Sequence, residues 1–375
     1  MSASFPRLVF PHGGVPVPLF DTATPLSPLL PEVRRRVGDV VDRGVFILGP
    51  EVEAFESELA AYLGVRHVVG VANGTDAITI ALRALGVQPG DEVVLPSFTF
   101  YATAEAAVSA GARPVFCDVD PQTRNVTPDT VKAVLSARSR AIVTVDLFGC
   151  PAPVPEVEEL GLPVLADSAQ ALGAALGGRK VGALGLASTF SFYPSKNLGC
   201  LGDGGAIATD SDEVAELARA LRFHGSRDKR SFQYVGYNSR LDEVQAAALR
   251  VLLPYLDEWC EGRRRAAQGY VEAALGDHLG LPQVPAGAHP AWHLYVATHP
   301  RADELIGQLT ERGIGARGYY RVPVHRQPAM AAYAPGTRLP ATDELAATNL
   351  ALPMSPVLSP EQVREVADAV AAALG

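Results

Sequence analysis

Two rhythms of apolar residues run along this chain. In "GPEVEAFESELAAYLG" (49–64), Val52, Phe55, Leu59 and Leu63 recur at helical spacing, and Gly64 is placed to end the helix. A shorter helix is predicted over Val33–Val41, after a proline-rich start. From there, short continuous apolar runs alternate with helical segments. "HVVGVA", "DEVVLP", "RPVFCDVD", "RAIVTVDLFG", "LPVLAD", "ASTFSF" and "GGAIATD" read as strands, and unbroken apolar runs of this length suit strands covered on both faces. Asp76–Leu85, Ala102–Ala110 and a segment opening at Thr127-Pro128 read as the intervening helices. The alternation predicts an α/β fold: a mostly parallel seven-stranded sheet flanked by helices.

Near residue 240 the texture changes. "LDEVQAAALRVLLPYLDEWCEGRRRAAQGYVEAAL" is helical throughout, with Pro254 marking a kink. A strand over Trp292–Thr298, a helix over Ala302–Arg312 and a last helix capped by Ser359 follow. At 375 residues the chain exceeds one ordinary core. The expected division is an irregular segment 1–30, a large α/β domain 31–250 and a small C-terminal domain 251–375.

Composition narrows the function. The net charge of −9 disfavours nucleic acid and anionic membrane as general partners. No apolar run reaches membrane-spanning length, and "MSASFPRLVFPHGGVPVP" lacks the layout of a secretory leader. Cys117, Cys150, Cys200 and Cys260 are widely spaced, which fits reduced thiols in a cytoplasmic protein. The eight histidines show no ligand spacing, so no metal is expected. "GAALGGRK" imitates a phosphate loop but lacks its Lys-Ser/Thr ending.

Sites in parallel α/β sheets lie beyond the carboxyl ends of strands. After the first strand, Asn73-Gly74-Thr75 opens a helix; it is either a phosphate cup or an ordinary cap. Phe98, after the second, either stacks on a planar ligand or packs in the core. Asp167 closes the fifth strand, as a loop cap or as a carboxylate aimed at a ring nitrogen. Gln170 follows three residues on and can donate to a phenolic oxygen. In "TFSFYPSKNLGCLGDGGA", Ser191 and Lys196 sit among aromatics and glycines. Lys196 is either a surface cation or a desolvated amine able to bond an aldehyde. Together, in this order, the four stations describe one cofactor: pyridoxal 5'-phosphate (PLP), aminated as PMP.

The motifs "NGTDA", "LPSFTF", "ADSAQALGA", "FSFYPSKNLG", "GDGGAI" and "GYNSRLDEVQAA" resemble the DegT/DnrJ/StrS-type nucleotide-sugar aminotransferases, from about Leu48 to the C-terminus. The resemblance implies a type I aminotransferase fold with a smaller C-terminal α/β domain. It implies Lys196 as the cofactor-bonding lysine, Asp167 at the pyridine nitrogen, Gln170 at the ring oxygen and Phe98 stacked on the ring. Gly74, Thr75 and Ser191 would hold the phosphate. Asn238 would reach the phosphate of a neighbouring subunit, making a homodimer with shared sites. Tyr319, Tyr320 and His325, in "ARGYYRVPVHRQPA", are candidates for sugar or donor, and Lys229, Arg230 and Arg321 for a nucleotide diphosphate. The implied reaction moves an amino group from an amino acid, glutamate by expectation, to a keto group of a dTDP- or UDP-linked deoxyhexose, with a lean to 3-keto. The alternatives are a dehydratase of the same family, in which a histidine replaces the lysine, and a PLP-binding regulator without turnover.

Overall fold

A computed structural model describes residues 17–375. The N-terminal stretch read above as lacking a secretory leader lies, up to residue 16, outside the described residues.

The seven expected strands form one sheet: β1 His67–Val71, β2 Glu92–Pro96, β3 Arg113–Cys117, β4 Ser139–Val145, β5 Val164–Asp167, β6 Ala187–Ser191 and β7 Gly205–Thr209, in the order β1-β7-β6-β5-β4-β2-β3. Pairings from β6 through β5, β4 and β2 to β3 are parallel; β7 runs antiparallel between β1 and β6. Side-chain alternation divides two cores. Val68, Val94 and Ile142 point to one face, and Val69, Val93 and Val143 to the other.

Helices α1 (Leu30–Arg43), α2 (Pro50–Leu63), α3 (Gly74–Ala84), α4 (Ala102–Ser109) and α5 (Asp212–Leu221) are joined by α6 (Glu243–Leu252). Phe55 and Leu59 of α2 cover the first face; Ile80 and Leu82 of α3 cover the second. A remote carboxylate caps α2. Glu243 accepts from the Gly49, Glu51 and Val52 amides at 2.9–3.0 Å, satisfying N–H groups that the helix leaves free.

At Pro254 the chain turns through a 3-10 segment, Leu253–Tyr255, into α7 (Leu256–Glu272). A third core follows. Strands β8 (Tyr295–Thr298) and β9 (Asn349–Leu352) pair antiparallel beside α8 (Ala302–Glu311), α9 (Pro340–Thr348) and α10 (Pro360–Leu374), with Tyr270, Tyr295, Leu309, Leu350 and Val366 inside. Ser359 caps α10 in a capping box with Gln362. Val17 joins this core, bonded to Gly313 and Gly315, whereas Ala23–Leu26 is already helical. The phosphate-loop imitation is a hairpin, Ala175–Leu176 against Arg179–Lys180.

Candidate active site

The carboxyl ends of the parallel strands open on a cavity of about 710 Å³, a volume suited to a cofactor with its substrate. Lys196, Asp167, Gln170, Gly74, Thr75 and Ser191 all line it. Its outer wall comes from Tyr319 and Tyr320.

The cup at α3 resolves the capping question. Asn73, not Thr75, is the N-cap, its Oδ1 accepting from the Asp76 amide at 2.8 Å. Thr75 therefore keeps its hydroxyl for the cavity. Close approach explains Gly74: a Cβ there would lie 2.7 Å from the Ser191 Cβ. Gly205 presses on the same turn, since a Cβ there would meet the Asn73 carbonyl oxygen at 2.4 Å. Free amides at the start of an eleven-residue helix, facing a serine at a strand end, suit a phosphate.

Asp167 is buried at the end of β5. Its Oδ2 accepts from the Thr103 hydroxyl at 2.8 Å and its Oδ1 from the Ala169 amide at 3.3 Å. Burial raises its pKa, against those bonds and the charge of Lys196. A buried carboxylate with so few donors fits a cationic ring nitrogen. Lys196 shows the complementary effect. Desolvation pushes its amine down to about 8, although the Asp167 charge works to raise it. Gln170 is oriented by the Phe148 amide, which donates to its Oε1 at 2.8 Å; its Nε2 donates to the Tyr320 hydroxyl at 3.2 Å. These residues fit PLP: a cup for phosphate, an anion for the ring nitrogen, a donor beside the ring and an amine for the aldehyde.

Six of the expected residues lie outside this chain's cavity. Phe98 does not line the cavity. It is buried in the core, edge-on to Phe148 at 6.0 Å, because Ser97 still bonds to the Cys117 carbonyl and carries the sheet line past β2. Phe100, two residues on, lines the cavity instead, 5.9 Å from the Tyr320 ring. His325 is buried away from the cavity, its Nδ1 2.7 Å from the Ser97 hydroxyl, where it ties the 320s loop to β2. Arg321 turns away from the cavity. It donates to the Ala346 and Ala347 carbonyls at the end of α9 and contacts Asp303 at 2.6 Å without hydrogen-bond alignment. Lys229 and Arg230 are exposed outside this chain's cavity, Lys229 with its amine 4.8 Å over the Phe223 ring. Asn238 is also exposed beyond the cavity, bonded to Arg240.

Three further wall elements escaped the sequence reading: His293, Arg317 and the strap Pro18–Phe20. His293 stacks on Phe20 at 6.0 Å, and its buried Nδ1 has no hydrogen-bond partner among the described residues. Burial first, then the charges of Lys196 and Arg263, hold its pKa well below 6.5, so the imidazole is neutral. Its only sequence signal was a polar residue inside the aromatic run "AWHLYV".

The DegT/DnrJ/EryC1/StrS aminotransferase family matches residues 30–371. The chain belongs to that family. Three curated relatives cover nearly all of it. A "pleiotropic regulatory protein" of Geobacillus stearothermophilus is 44% identical over 95% of this chain and 98% of its own. The UDP-N-acetyl-3-dehydro-alpha-D-glucosamine 3-aminotransferase of Acidithiobacillus ferrooxidans is 43% identical over 94% and 97%. The dTDP-3-amino-3,4,6-trideoxy-alpha-D-glucose transaminase of Streptomyces venezuelae is 44% identical over 94% and 95%. The crystal structure of S. venezuelae DesV with a ketimine intermediate superposes with a TM-score of 0.91 at 43% identity, covering 94% of this chain and 97% of that one. This DegT-family chain is thus a PLP-dependent aminotransferase of the type I fold. Among the described residues no helix is long and apolar enough to cross a membrane.

Proposed function

We propose that this aminotransferase moves an amino group from an amino acid, glutamate by expectation, to the C3 keto group of a nucleotide-linked deoxyhexose. The observation carrying the reading is Lys196 in one cavity with Asp167 and the Gly74–Thr75 cup. The choice of C3 is supported by two relatives whose names both place the amino group at that carbon, one on a UDP sugar and one on a dTDP sugar.

Bound there, PLP supplies an aldehyde for the substrate amine and a pyridinium ring that accommodates the negative charge developing at the neighbouring carbon. Asp167 holds the ring nitrogen protonated. Gln170 donates toward the ring oxygen, and Phe100, rather than Phe98, is placed to cover an aromatic face. The free amides at Gly74 and Thr75, with the Ser191 hydroxyl, hold the phosphate. Lys196 Nζ, with its pKa pushed down to about 8, is a competent base near neutrality; it takes the proton from the donor's α-carbon and later returns one to the acceptor carbon. Tyr319 and Tyr320 shape the sugar's side of the cavity.

We also infer a homodimer in which Asn238 completes the partner's phosphate site. Val45, Phe46 and Ile47 are exposed, and they lie beside the loop carrying Asn238: the Phe46 carbonyl accepts from the Glu243 amide, and Ile47 bridges to Asp242. Apolar side chains clustered in this way suit an interface. A division near residue 250 into a large and a small domain is supported by the core around Tyr270 and Leu350, which Val17 joins. A cytoplasmic setting is supported by four buried, unbridged cysteines.

The experiment is direct. Purified yellow protein mixed with glutamate should release 2-oxoglutarate with loss of the cofactor's visible band. It should then aminate 3-keto in preference to 4-keto nucleotide sugars, with the product identified by mass and NMR. The name of the Geobacillus relative supports a second reading, a PLP-binding regulator without turnover. An unchanged spectrum with glutamate would favour it. Lys196, standing where the dehydratase branch carries histidine, opposes the dehydratase reading.

A further inference from the structure

The loop "GARGYYRVP" carries two arginines four residues apart, and the fold gives them opposite fates. Arg321 is consumed by the end of α9 and by Asp303. Arg317 lines the cavity. Its backbone is fixed by a bridge that donates to and accepts from Ala351 of β9, so its side chain is launched from a position pinned to that strand rather than from a loose loop. The guanidinium lies over the Tyr319 ring, 5.4 Å from the centroid, which orients it without neutralising it. It takes no carboxylate among the described residues, although the cavity also presents Asp167 and Asp203. Lys196 and Arg317 are the two cations among the described lining residues, because His293 is neutral. Lys196 is committed to the cofactor, which leaves Arg317.

Both substrates of the proposed reaction are anions. The donor carries carboxylates, and the acceptor carries a diphosphate between sugar and nucleoside. A planar guanidinium fork matches either group in a bidentate pair. We propose that Arg317 is the anion-recognition residue of this cavity, engaging a carboxylate or a diphosphate oxygen pair of the substrate. The inference rests on the aminotransferase reading, and it reassigns to Arg317 the role that sequence alone gave to Arg321.

The test is equilibrium binding to the holoprotein by calorimetry, with dTDP and UDP as diphosphate probes and 2-oxoglutarate as the carboxylate probe. R317Q should weaken at least one probe class by about 10- to 100-fold, the worth of a charge-assisted pair. R317K should recover part of that loss. Loss confined to dTDP and UDP assigns the diphosphate; loss confined to 2-oxoglutarate assigns the donor carboxylate. R321Q, removing the same charge four residues on, should leave every affinity within twofold while lowering the melting temperature. Affinities unchanged in R317Q, or no probe bound by the wild type, would overturn the assignment. Neither result depends on turnover, which is judged separately by 2-oxoglutarate release from glutamate.

Discussion

Behind the candidate site lies a second buried acid, and replacing it should make the protein more stable in alkali. Asp146 sits just past β4, 1% exposed. One carboxylate oxygen accepts from the Ala152 amide at 2.8 Å and the other from the Ser168 hydroxyl at 2.6 Å. Burial chiefly, with the charge of Asp167 adding to it, raises its pKa from 3.8 to about 7. A raised carboxyl contributes stability that is complete below its unfolded value and is lost as pH rises through its folded one. At 1.36 kcal/mol per pH unit, that gap amounts to about 4 kcal/mol. Asparagine fits the same partners: its oxygen accepts from Ala152, and its amide donates to the Ser168 oxygen. D146N has no proton to lose, so its stability should not fall in this way. Between pH 5 and 8.5 the wild type should lose about 3 kcal/mol relative to D146N, covering the two units below pH 7. At roughly 2 °C per kcal/mol, the thermal midpoints should separate by about 5 °C over that range. Scanning calorimetry of both holoproteins across the range reads this. A gap that stays constant with pH, or a wild type more stable than D146N at pH 8.5, would show that Asp146 does not titrate in this range.

Other perturbations separate core from cavity. F98A should cost about 3–5 kcal/mol of stability, the usual price of emptying a buried phenylalanine. F100A should barely move the midpoint while weakening cofactor retention, as followed by dialysis and absorbance. D167N should lower kcat by about 100- to 1000-fold, for about 3–4 kcal/mol lost with a buried ionic partner. It should also depress the Lys196 pKa further, since the Asp167 charge holds that value up. G74A forces a Cβ to within 2.7 Å of the Ser191 Cβ, so the cup must open. PLP titration of the apoprotein should show at least tenfold weaker binding, with the melting temperature of the apoprotein less affected.

The sheet was legible because strands buried on both faces leave unbroken apolar runs, and all seven stand where those runs lie. The antiparallel course of β7 was not, since a run such as "GGAIATD" carries no mark of direction. Strand β9 was missed because its four residues follow directly on α9. Lys196, Asp167, Gln170, Gly74, Thr75 and Ser191 were found because each closely follows a strand or opens a helix, positions that the fold class aims at the cavity. Phe98 and Phe100 were confused because the sheet line runs on past Pro96 through Ser97, so the chain reaches the cavity later than the end of β2 suggests. Arg317 and Arg321 were confused for a similar reason: which of two loop cations faces inward depends on α9 and Asp303, residues that only the folded chain brings near. His293 comes from the C-terminal unit, a distance in sequence that no local motif spans.

Every role assigned in the cavity follows from Lys196 being the residue that bonds the cofactor. Purified yellow protein should be reduced with borohydride, digested and mapped by mass spectrometry. A phosphopyridoxyl adduct is expected on the peptide containing Lys196 and on no other lysine, and absent in K196A. An adduct on a different lysine, or a cofactor that washes free after reduction, would contradict that assignment.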